Sequence, residues 1–135
     1  MRRLLPSLVV LVLAACSDLT SSNSSAPGTY TLRLMNGQRF PLPVDTAAGF
    51  TMHFTDQTLT MNHDGSYSVF NAWQSYSHGA PGTSGRGVFE TGTWTEQGSA
   101  IIFTHADGPG GSTNRATLRL GRLTVVGYST LVYMR

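Results

Sequence analysis

From Thr29 to the carboxyl terminus, no window of a dozen residues shows apolar spacing of 3.6, while alternation of period two recurs. Tyr30, Leu32 and Leu34 alternate with Thr31 and Arg33. Phe50, Met52 and Phe54 alternate with Thr51, His53 and Thr55, and Leu59 and Met61 continue among Thr58, Thr60 and Asn62. Turn signals punctuate these runs: Asn36-Gly37, His63-Asp64-Gly65, Glu96 to Ser99, and Gly121-Arg122. The pattern predicts a hairpin over 57–71, a second over 88–104, and strands over 113–120, 123–127 and 129–134. Pro41 and Pro43 end pairing or mark an edge. Aromatic residues fall on both faces of 69–76, which predicts a parity shift at a bulge. Gly79 to Gly87 and Ala106 to Ser112 read as glycine-rich loops. The fold class is therefore all-β. It is an antiparallel up-and-down meander of about eight short strands, because short turns join antiparallel neighbours. An open sheet of that size leaves two adhesive edges. Closure into a small barrel removes them, and a two-sheet sandwich is the alternative.

The amino terminus constrains location. Arg2 and Arg3 precede twelve uncharged residues, Leu4 to Ala15. A membrane-spanning helix needs roughly 20 apolar residues, so this run has the length of an export-signal core. It ends in Leu13-Ala14-Ala15-Cys16, and Cys16 is the only cysteine in the chain. This stretch resembles the lipobox of bacterial lipoproteins. The resemblance implies acylation of the Cys16 thiol, cleavage before Cys16, and anchoring in a membrane through two or three acyl chains. It divides the chain into a signal peptide (1–15), a lipidated cysteine with a flexible Ser/Thr-rich tether (16–27), and a folded domain (28–135). Ser17 after the cysteine implies the outer membrane, facing the periplasm, in a two-membrane bacterium.

Removal of residues 1–15 leaves enough chain for one domain and not two. The nine basic residues are all arginine, and two of them leave with the signal. Seven arginines then face seven Asp and Glu, a formal net charge of zero. That balance excludes a nucleic-acid footprint and supplies no overall polybasic attraction to lipid. With Cys16 alkylated, the domain has no disulfide and depends on its hydrophobic core.

Several stretches of the domain are similar to the small lipocalin-like domains of bacterial lipoproteins. These are Gly28 to Leu32 with Asn36-Gly37, Leu59 to Tyr67, Gly92-Thr93-Trp94 leading to Ile101-Ile102-Phe103, and Leu131 to Arg135. The resemblance implies a non-enzymatic barrel with no catalytic residues and no cofactor. Such a barrel binds a small apolar ligand or a lipid, or serves as an interaction module for another envelope protein through its glycine-rich loops.

Residue chemistry adds few candidates. His78 and His105 open the two glycine-rich stretches, and with Asp107 they would form a metal site if the loops met at one barrel mouth. Solvated loop histidines are the simpler reading, so no metal is assigned. Glu90, if it points with Val88, Gly92 and Trp94, would be buried; a partner such as Arg119 is the simpler expectation. Ser84 lies in Gly82-Thr83-Ser84-Gly85, which is not a nucleophile elbow. The absence of lysine excludes a Walker-type phosphate site. Trp73, Trp94, Tyr30, Tyr67, Tyr76, Phe50 and Phe54 either line an apolar cavity or fill the barrel.

Overall fold

Asn36-Gly37, His78-Gly79 and Leu120-Gly121 all adopt positive φ, between 48° and 81°. Two consecutive residues of this kind reverse the chain with the twist that antiparallel strands need. They are three of the connections among nine strands in the computed structural model, which describes residues 26–106 and 112–135. The strands are β1 (Gly28–Met35), β2 (Leu42–Ala47), β3 (Phe50–Met61), β4 (Ser66–Ser77), β5 (Ala80–Gln97), β6 (Ala100–His105), β7 (Thr113–Arg119), β8 (Arg122–Val126) and β9 (Thr130–Met134). The lipobox, the signal, the tether up to residue 25 and Asp107 lie outside the described residues.

The sheet runs β1-β9-β8-β7-β6-β5-β4-β3, and β1 returns to pair with β3. This is a closed, antiparallel, eight-stranded up-and-down barrel, the architecture of lipocalin-like domains. β1 makes the closure by sharing itself. Its first half pairs with β3, Gly28 opposite Met61. Its second half pairs with β9, Met35 opposite Leu131, after a bulge between Leu32 and Leu34. Thr31 is the changeover and has a partner on both sides, Thr58 and Met134.

β2 lies outside the ring and pairs with the first half of β3. The eight barrel strands are those expected from the alternation; β2 is the addition, and it carries Pro43 in an edge strand where a missing N–H is tolerated. The pairings of β4 bring two corrections. The segment 79–87 is not a loop. Residues 80–88 pair with β4 from Ser77 back to Phe70, so the β4–β5 hairpin extends well beyond the barrel. Glycine is poor strand material, but here it accommodates neighbours. A Cβ on Gly85 would collide with the Trp73 indole, and one on Gly82 would come 2.7 Å from Ser75 Oγ. The hairpin expected over 57–71 likewise spans Phe50 to Ser77. The outer parts of β3, β4 and β5, with β2, form a four-stranded extension past one end of the ring. The parity shift falls on the neighbours of β4: one bulge lies between Phe54 and Asp56 of β3, and β5 is irregular opposite Val69–Phe70 and Gln74–Tyr76.

Inward residues form the core. Tyr30, Met61 and Leu123 are fully buried, and burial of an apolar side chain such as Met61 or Leu123 contributes roughly 1.5–3 kcal/mol. The core also reaches back before β1. Ala26 is buried, and its carbonyl accepts a hydrogen bond from Tyr30 Oη at 2.7 Å. Arg135 Nη2 donates to the Pro27 carbonyl at 3.0 Å, and the Arg135 amide donates to the Gly121 carbonyl. Fixed structure therefore begins at least two residues before the expected boundary at Gly28.

Candidate functional site

Cross-strand register places Tyr67 of β4 opposite Gly92 of β5, and Gly92 opposite His105 of β6. Gly92 leaves a gap in that row. A Cβ there would meet the Tyr67 ring at 2.7 Å. Through the gap the phenol reaches the next inward residue of β5, Glu90. Tyr67 Oη donates to Glu90 Oε1 at 2.5 Å, and His105 Nδ1 lies 2.8 Å from the same oxygen. The far side of the ring, His105 Nε2, lies 2.9 Å from the Asn114 amide nitrogen. With Asn114 donating and Nε2 accepting, Nδ1 carries the hydrogen that goes to Glu90. Burial and the neighbouring Glu90 carboxylate push the Tyr67 phenol far above its ordinary range. The ring packs edge-on against Phe103, centroids 4.9 Å apart.

A second polar chain lies on the strands around the closure. Tyr133 Oη donates to Gln57 Oε1 at 2.8 Å, and Gln57 Nε2 donates to Asn71 Oδ1 at 2.7 Å. Asn71 Nδ2 is buried and has no partner among the described residues. Reversing both amides transfers the vacancy to the Asn71 oxygen and does not remove it. Burial pushes the Tyr133 phenol upward, with Glu90 adding to the effect.

Both chains border one cavity inside the barrel. Its apolar wall is Leu59, Val69, Phe103, Val125 and Leu131; Gln57, Tyr67, Glu90, Asn114 and Tyr133 are its polar lining. Its volume is about 70 Å³ and it is open on one side, room for a compact organic group rather than a long chain. Phe89, displaced by the β5 bulge, stands at this cavity and packs edge-on against Phe54 at 6.3 Å.

The other expected residues disperse. His78 is in the β4–β5 turn at the tip of the extension, where its amide bonds the Gly49 carbonyl and its Nδ1 lies 3.3 Å from Ser77 Oγ. His105 is in the barrel wall. The two are not neighbours, and among the described residues no three His, Cys, Asp or Glu side chains are grouped as metal ligands. Glu90 does point inward, but the β5 irregularity turns Val88 outward, and the partners of Glu90 are Tyr67 and His105 rather than an arginine. Of the seven aromatic candidates, Tyr67 lines the cavity, Tyr30 fills the core, and Phe50, Phe54, Trp73 and Tyr76 belong to the extension. Trp94 closes over the β3–β4 turn, its Nε1 donating to the Asn62 carbonyl. Sequence reasoning missed Gln57, Asn71, Asn114 and Tyr133. The signal for two of them was present: Gln57 and Asn71 occupy inward positions of otherwise apolar alternations. Comparison with family models, curated proteins and solved structures finds no match to the chain.

Proposed function

We propose that this is a lipid-anchored protein of a bacterial cell envelope whose barrel binds a small ligand. The cavity carries the reading: an apolar wall with a few convergent polar groups is the usual form of a small-molecule site. Acylation of Cys16 would hold the barrel at a membrane, the outer membrane in a two-membrane host. The ligand is small and mainly apolar. Glu90 Oε2 has no hydrogen bond among the described residues, since both partners of this carboxylate sit on Oε1. A ligand that presents a donor to that oxygen is favoured, and one that presents a carboxylate is opposed. Free fatty acids are therefore poor candidates for the interior.

The test is a native mass spectrum of the Cys16→Ser chain, exported and purified unlipidated. A discrete mass of a few hundred daltons or less, lost on denaturation, supports the reading. A clean apo mass, with no response to a small-molecule panel in thermal shift, overturns it. Labelled palmitate tests the anchor separately: incorporation into the wild type and none into Cys16→Ser is expected.

A second reading is an envelope interaction module acting through the two glycine-rich stretches; the first is paired as strand over 80–87, and residues 107–111 of the second lie outside the described residues. One observation favours it: Phe70 and Val88, cross-strand neighbours, are 43% and 56% exposed. Photocrosslinks from position 70 or 88 to a single envelope protein in intact cells would favour it.

A further inference from the structure

The formal balance of arginines and acids conceals an uneven distribution. Arg33, Arg39 and Arg122 line one groove on the outside of the barrel, with Leu34, Phe40, Val132 and Met134 as its apolar lining. Arg119, Arg122, Leu120 and Met134 line a second groove. Arg122 and Met134 belong to both, so the two form one strip across the β1–β9–β8 wall onto the β7–β8 turn. None of these four guanidiniums makes a hydrogen bond or ion pair among the described residues. Leu120, at the tip of the turn, is 91% exposed and adopts positive φ, a conformation that leucine rarely takes.

The strip lies where the amino-terminal segment leaves the domain. Arg135 bonds the Gly121 carbonyl of that turn and the Pro27 carbonyl of the departing chain. The β3–β4 turn, which carries Asp64, and the end of β5, which carries Glu96, lie at the same end of the ring. They belong to other strands, so this end has an arginine side and an acidic side.

We infer that the strip of Arg33, Arg39, Arg119 and Arg122, with Leu120 at its edge, docks against an anionic phospholipid surface. Uncompensated guanidiniums match lipid phosphates, and an apolar tip flanked by arginines suits the interface between headgroups and acyl chains. The anchor proposed at Cys16 would bring this side to the bilayer. The arrangement orients the barrel, leaning it onto its β1–β9–β8 wall. The orientation rests on the anchor reading; the charge pattern does not.

The test uses the unlipidated Cys16→Ser chain, so failure of the anchor and failure of the docking face are separable. Flotation with phosphatidylcholine vesicles is compared with flotation on vesicles of phosphatidylcholine and phosphatidylglycerol. Binding to the anionic vesicles alone is expected, and it should weaken as salt is raised. An arginine beside an anionic leaflet is worth about fivefold in partitioning. Replacing all four by glutamine should therefore lower binding by about a hundredfold or more. Leu120→Ser should weaken it further. Arg86→Gln with Arg115→Gln, exposed arginines off the strip, should leave it unchanged. Equal flotation on both vesicles, or equal losses in the two sets of variants, would overturn the inference. So would release by inorganic phosphate beyond the effect of sodium chloride at matched ionic strength, which would make this a free-anion site. Charge-dependent capture of an acidic envelope protein with no vesicle binding would overturn it as well.

Discussion

The ring of Tyr67 lies over Gly92, its cross-strand partner, with no space for a Cβ between them. The same glycine faces the Thr104 carbonyl so closely that a methyl group would collide with the backbone of β6. A Gly92→Ala substitution must therefore move β6 or expel the phenol from Glu90. The expected loss is about 1–3 kcal/mol, read by urea unfolding. A wild-type midpoint would show that the row from Tyr67 to His105 is not packed as described.

Alkaline pH tests the three buried phenols. Tyr30, Tyr67 and Tyr133 all titrate above the ordinary value of 10.0, each raised first by burial. The unfolded chain releases these protons earlier than the folded one, so between the two values it holds fewer. Stability from this source is complete below about pH 10 and falls as pH rises further. Unfolding free energy should therefore decline steeply above pH 10, and phenolate absorbance of these tyrosines should appear together with loss of structure. Full ionisation of all five tyrosines in a still-folded protein at pH 11 would contradict the burial.

Much of the fold was legible because its devices are local. Alternation marked the eight barrel strands, and Asn36-Gly37 marked its turn. What escaped depended on partners distant in sequence. Residues 80–87 have loop composition and become a strand because β4 extends far enough to pair with them. Glu90 was recognised as a possible inward carboxylate, but its partner could not be chosen. His105 reaches it only because β6 pairs with β5 in one particular register. Asn71 and Gln57 looked like ordinary polar interruptions until closure of the ring brought Tyr133 against them.

The chain Tyr133–Gln57–Asn71 should therefore show strong non-additivity. Tyr133→Phe alone leaves Gln57 Oε1 without its donor and should cost about 1 kcal/mol or more. The triple variant Tyr133→Phe, Gln57→Leu, Asn71→Leu removes every member, including the amide end that has no partner. Its stability should return to within about 1 kcal/mol of wild type or exceed it. Simple addition of three single losses would show that the vacancy at Asn71 carries no penalty.

Leu120 gives the opposite sign. A branched side chain at φ 48°, almost wholly exposed, has strain and nothing to offset it inside the fold. Leu120→Asn keeps the turn, admits the left-handed conformation more readily, and should stabilise the domain by about 0.5–1 kcal/mol. An unchanged or lower melting temperature would locate a packing role for Leu120 within the domain.

The clasp between Arg135 and Pro27, with Ala26 packed beneath, has a mechanical consequence. The first and last described residues share one corner of the ring, and the strand that leaves this corner, β1, is bonded on one flank to β3 and on the other to β9. A tug along β1 through the preceding chain loads both ladders in parallel, where peeling would break one bond at a time. The seam that closes the barrel is thus also the part that resists shear, and a protein tethered by its leading end would yield there last.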